Sequence, residues 1–201
     1  MAEEDVAGMK SRKQGWPSPL EYAALALAAS LIAAASLAAA PGLPGVFGGA
    51  LGIVMLAIAA ADARFFIIPD ELTACAAALA LANAAVSGAD SVLDNVASAG
   101  VRGLLLALAF YTLRRLYWRL RHREGIGLGD VKLAAAAGAW LDWTFILLAI
   151  EIAALAGIAG YTAMQIAARR PLSAVAKLPF GLFFAPAIWI CWLLHAILPD
   201  I

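Results

Sequence analysis

Three carboxylates interrupt an otherwise apolar chain at places where an ionised group is expensive: Asp62, Asp130 and Glu151. Acids within membrane segments are functional candidates by default, because the bilayer gives them no solvation. Asp130 stands in "REGIGLGDVKLAAAAGAW" at the mouth of an Ala-rich run. Taken alone it reads as a helix cap, since the dipole and free N–H groups of a helix amino terminus favour an acid. Asp62 closes an apolar run and opens "DARFFIIPDELT". There an acid opposes the dipole of its own helix, so its plain reading is a carboxylate solvated at the membrane edge. Two carboxylates about 3 Å apart cannot both ionise readily and share one proton. The charged member takes a proton from water and the neutral one protonates the scissile amide. That is aspartic peptidase chemistry, with no metal ligand and no cofactor.

Competing chemistries find little support. The two histidines are His122, in a basic stretch, and His195, near the far end of the last apolar run. HExxH, GxxxxGK and GxSxG patterns are absent from the sequence. Cys75 and Cys191 fall within apolar runs, which offers neither a disulfide framework nor a zinc site and reads as two small core residues. Gly127 and Gly129 free the turn before Asp130 for positive φ or a close backbone approach. Pro69, Asp70 and Glu71 have the chemistry of an ordinary helix start. Glu151 reads as a hydrogen-bonded interior carboxyl joining helices.

These residues need elements to position them. Of the 201 residues, 64% are hydrophobic and only 14% charged, against roughly 25% charged in soluble domains. Apolar runs cover Leu20 to Ala40, Gly45 to Ala61, Leu72 to Val86, Val101 to Trp118, Val131 to Leu141, Trp143 to Ala168 and Phe180 to Leu198. The expected fold is an all-α polytopic membrane bundle of about seven segments, the fifth a half-length helix reaching only about 16 Å. So short an element must be lined by protein, and it predicts water access beside Asp130. Lys10, Arg12, Lys13, Arg64, Arg114, Arg115, Arg119, Arg121, Arg123, Lys132, Arg169, Arg170 and Lys177 all fall on one side if the short segment traverses. By the positive-inside rule that side is cytoplasmic, and Asp62 and Asp130 share it. Only Arg102 falls elsewhere. The loop "SGADSVLDN" faces the opposite side. Residues 1–19 read as a polar cytoplasmic tail and 20–201 as a single membrane-embedded domain.

The blocks "DARFFIIPD", "REGIGLGDVKL" and "LPFG", in that order, resemble the type IV prepilin peptidases, bacterial membrane aspartic peptidases of the GxGD kind. The resemblance runs from about Gly45 to the carboxyl terminus. It implies that Asp62 and Asp130 are the catalytic pair. Pro69, Asp70, Gly127, Gly129, Lys132, Pro179, Phe180 and Gly181 match motif positions to which it assigns no chemical role. It further implies a multi-pass protein of the bacterial inner membrane, in contact with the lipid bilayer. Its site would lie at the cytoplasmic face, where it would cleave the basic leader from prepilins or pseudopilins ahead of a hydrophobic helix. Many bacterial members carry paired Cys-x-x-Cys motifs in a zinc-binding domain associated with amino-terminal methylation. This sequence has none, so it is similar to the short forms, and methyltransferase activity is not expected.

Two other readings compete. Presenilin and signal peptide peptidase also use a GxGD acid, but they pair it with Tyr-Asp and Pro-Ala-Leu motifs, whereas Ala61 precedes Asp62 here. A proton-coupled transporter would distribute acids across the bilayer depth; two acids at one edge and an isolated Glu151 fit that poorly. Topology accounts for the basic clusters without nucleic acid, and an Arg-rich loop offers a basic leader no attraction.

Overall fold

The computed structural model describes residues 18–86, 91–122, 125–169 and 178–198. Most of the amino-terminal tail, with Lys10, Arg12 and Lys13, and also Arg123, Arg170 and Lys177 lie outside the described residues. The described elements are helices: α1 (Pro19–Ala39), α2 (Leu43–Phe65), α3 (Asp70–Val86), α4 (Val92–Arg121), α5 (Leu128–Trp140), α6 (Trp143–Ala167) and α7 (Phe180–Ile197). The protein is a multi-pass membrane helix bundle. Five helices, α1, α2, α4, α6 and α7, are long and apolar enough to cross a membrane. The other two fall short: α3 has 17 residues and α5 has 13, against the roughly 20 needed to span.

The short α5 lies in the middle of the bundle. Leu133, Ala134, Ala136 and Ala137 are fully buried, and α5 packs most extensively on α4 and also on α3 and α7. Small residues permit this. A Cβ on Gly103 of α4 would meet the Ala135 carbonyl oxygen at 2.7 Å, and one on Gly138 would meet the Arg102 carbonyl oxygen at the same distance. The crossing therefore brings backbone against backbone, as small residues do in membrane interiors. Polar contacts assist elsewhere: Trp189 of α7 donates to the buried Ser36 hydroxyl of α1 at 3.1 Å.

At its carboxyl end α5 stops inside the bundle, where its last carbonyls need partners. Arg102 supplies them. Its Nε donates to the carbonyls of Leu141 at 3.1 Å and Gly138 at 3.3 Å, and its Nη1 lies 3.7 Å from Asp142. His195 Nε2 faces the same carboxylate at 3.5 Å and stacks on Phe145. Trp140 donates to the Ala76 carbonyl of α3 at 2.8 Å. The one cation outside the basic clusters thus caps the half-length helix.

Several expectations need correction. The fourth segment does not begin at Val101. It runs from Val92, nine residues earlier, because Ser91 accepts from the Asp94 N–H and starts the helix inside the expected loop. Cys75 is exposed and is no core residue, whereas Cys191 is buried. Glu151 is exposed on the outer face of α6 between Leu147 and Leu155, and it makes no hydrogen bond or ion pair among the described residues. It joins none of the described helices. Ala134 is fully buried, so the open side of α5 is the one carrying Lys132 and Ala135.

Candidate active site

At the other end of the bundle three helix termini converge on Ile68. Helix α2 ends at Phe65, and Phe66 takes a left-handed conformation at φ 53°, its N–H donating to the Asp62 carbonyl at 2.9 Å. That conformation is uncommon for a bulky residue. It reverses the chain so that Ile68 turns inward, buried, while Phe66 and Ile67 remain exposed. Pro69 then leads into α3, its carbonyl accepting from the Thr73 N–H at 3.2 Å.

Asp62 is buried although it lies in the last turn of α2. Its partner is the start of another helix: Leu182 N–H of α7 donates to Asp62 Oδ2 at 2.9 Å, and the Gly181 N–H also bears on it. The acid that opposes the dipole of α2 sits at the favourable pole of α7. This gives the "PFG" block a physical role. Pro179 precedes the helix and Phe180 opens it. Gly181 allows this close approach, since a Cβ there would lie 3.0 Å from Asp62 Oδ2 and 2.8 Å from Ile68 Cδ1 and both side chains would have to shift.

Asp130 lies in the first turn of α5 and accepts from the Gly127 N–H at 3.0 Å through Oδ2. The helix-cap reading is therefore correct as geometry, and it engages one oxygen only. Gly127 has φ −72°, and among the described residues Gly42 is the glycine with positive φ, so the turn needs no left-handed glycine. Gly129 is required for close approach: a Cβ there would come within 2.9 Å of Ile68 Cβ. Ile68 thus packs against both Gly129 and Gly181, and so links the two acids' supports. Asp62, beside Gly181, and Asp130, which follows Gly129, are thus brought to the same buried side chain.

Asp70 does more than start a helix. Its Oδ1 is 2.6 Å from Lys132 Nζ, tying α3 to α5 two residues beyond Asp130. Arg114 Nε holds the preceding loop by donating to the Ile126 carbonyl at 3.1 Å. No group of three metal-ligating side chains occurs among the described residues.

The architecture is that of a helical membrane protein with two acids placed near Ile68 at one end of the bundle. The chain belongs to the type IV leader peptidase family, whose sequence model matches residues 49–161 and so takes in both acids. It is 33% identical over 129 residues to the leader peptidase HopD of Escherichia coli, covering 63% of this chain and 78% of that one. It is 32% identical over 126 residues to a prepilin leader peptidase/N-methyltransferase of Escherichia coli (strain K12), covering 63% of this chain and 54% of the relative. A protein of the same name in Xanthomonas campestris is 30% identical over 186 residues, covering 90% and 61%. The chain therefore spans just over half the length of these last two. No solved structure matches it.

Proposed function

We propose that the chain is a membrane aspartic endopeptidase that removes the leader from type IV prepilins or pseudopilins, working at the cytoplasmic face of the bacterial inner membrane. The observation that carries this reading is the approach of Asp62 and Asp130, from separate helices, around Ile68. Like charges brought together weaken a fold, so such a pair needs a chemical reason.

Each acid is held by backbone N–H groups, Asp62 by α7 and Asp130 by the Gly127 turn. Backbone donors fix the position of a carboxylate without neutralising it as a bound cation would. One carboxylate removes a proton from water as the oxygen attacks the scissile carbonyl carbon. The other, protonated, delivers its proton to the amide nitrogen as the C–N bond breaks. The pair is regenerated by proton exchange between its members. Glu151 faces outward on α6, away from this end, so a proton relay through all three acids has no geometric support.

The test is direct. Purified protein, reconstituted with a prepilin carrying a basic leader and a hydrophobic helix, should yield a single new amino terminus by mass spectrometry. An intact prepilin after prolonged incubation with folded protein would overturn the assignment.

A further inference from the structure

Glu151 is the intramembrane acid that the active site does not use. It stands about 12 Å along α6, a helix of 25 residues that is long and apolar enough to cross the membrane. That places it within the roughly 30 Å hydrocarbon core and not at its edge. One side of α6 is buried through Phe145, Ala149, Ala153 and Gly157, chiefly against α7. Glu151 is central on the other side, with Leu147, Ala154 and Ile158 exposed around it, and no described residue bonds to it. A carboxyl in hydrocarbon with neither water nor a partner is costly, so whatever covers this face must offer it a hydrogen bond.

The spacing of the exposed residues describes the cover. Leu147, Glu151, Ala154 and Ile158 recur at intervals of four, three and four, the seam of two helices packed side by side, in which a single polar residue fixes the register. Ala154, beside Glu151 on that seam, lets two backbones approach closely. Copies of one chain inserted in the same bilayer share one orientation, so a symmetric pair has its two-fold axis along the membrane normal. Its two α6 helices then run parallel, and Glu151 meets its own counterpart at the same depth. A protonated carboxyl both donates and accepts, and two facing ones satisfy each other. We propose that the α6 face centred on Glu151 is a self-association surface, on which a second copy of this chain packs its α6 in parallel and joins the two Glu151 carboxyls across the axis. The inference is independent of the leader peptidase reading, since Glu151 faces away from the end of the bundle that holds Asp62 and Asp130.

The test uses the purified chain in phosphatidylcholine vesicles, where a second copy is the only protein partner. Energy transfer between donor- and acceptor-labelled molecules should rise with the protein-to-lipid ratio and reach a plateau. Glu151→Leu should weaken association at least about threefold, and Glu151→Gln, which keeps a donor and an acceptor, should retain most of it. Both changes fall at an exposed position, so thermal unfolding should match that of the parent. The face is checked by oxidative cross-linking in a Cys75→Ser background, since Cys75 is itself exposed. Ala154→Cys should give a disulfide-linked dimer, and Leu104→Cys, exposed on α4, should not. Unchanged association in Glu151→Leu, or equal cross-linking at position 104, would overturn the proposal. So would a chain that stays monomeric at every ratio, which would leave this face to a helix of a different protein.

Discussion

The two ends of α5, about 20 Å apart, are treated in opposite ways. At the carboxyl end the orphan carbonyls meet Arg102, and the Asp142 carboxylate lies between the Arg102 guanidinium and the His195 ring. At the amino end two carboxyl groups are brought to the same buried side chain, and among the described residues neither Asp62 nor Asp130 is ion-paired to a Lys or Arg. The nearby cation, Lys132, is engaged with Asp70 instead. One end satisfies what the helix leaves open. The other assembles a combination that stability alone would remove. The contrast separates the part of α5 that holds the bundle from the part available for reaction.

The comparison breaks most visibly at the acids. Asp62→Asn and Asp130→Asn should each lower kcat by roughly 10² to 10⁴, and the double variant should be little worse than either, because the pair acts as one unit. Thermal unfolding should stay near that of the parent, since removing one of two like charges relieves repulsion. A folded Asp130→Asn protein with near-normal turnover would reduce Asp130 to a helix cap.

At the opposite end the balance should reverse. Arg102→Met keeps the side-chain stem but strands two carbonyls and Asp142, for a loss of about 1–3 kcal/mol of stability. Turnover per folded molecule should persist, as measured by activity normalised to the folded fraction. Unchanged unfolding would show that water or lipid headgroups satisfy that end.

The Asp70–Lys132 link, half exposed, should matter least to stability. Asp70→Asn is expected to cost at most about 1 kcal/mol and to retain measurable turnover, and the exchange Asp70→Lys with Lys132→Asp should recover part of the loss. A chelator should have no effect, because paired acids activate water unaided. Inactivation by chelation with recovery on adding zinc would reject the acid-pair mechanism.

Much of this was legible in one dimension. Apolar runs located the seven helices, and the segregation of Lys and Arg put Asp62 and Asp130 at one edge. What stayed hidden depended on contacts distant in sequence. Asp62 is stabilised by an N–H 120 positions away, and no local pattern announces it. Arg102 looked like an exception to the charge distribution until α5 supplied its partners. Glu151 was assigned to the interior because acids are expensive in lipid, yet periodicity within so uniformly apolar a helix does not reveal which face is outside. One miss had a local signal: Ser91 followed three residues later by Asp94 is a helix-start signature inside what read as loop.

The half-length of α5 also constrains how the protein is made. A segment of 13 residues cannot rest alone across a bilayer as it leaves the ribosome. It needs α4 already beside it, with Gly103 and Arg102 in reach, before α6 can be threaded in the correct orientation. Insertion of α4 and α5 together as a hairpin is the expected consequence, and an Arg102 variant should then be degraded by membrane proteases during synthesis, before any substrate is met.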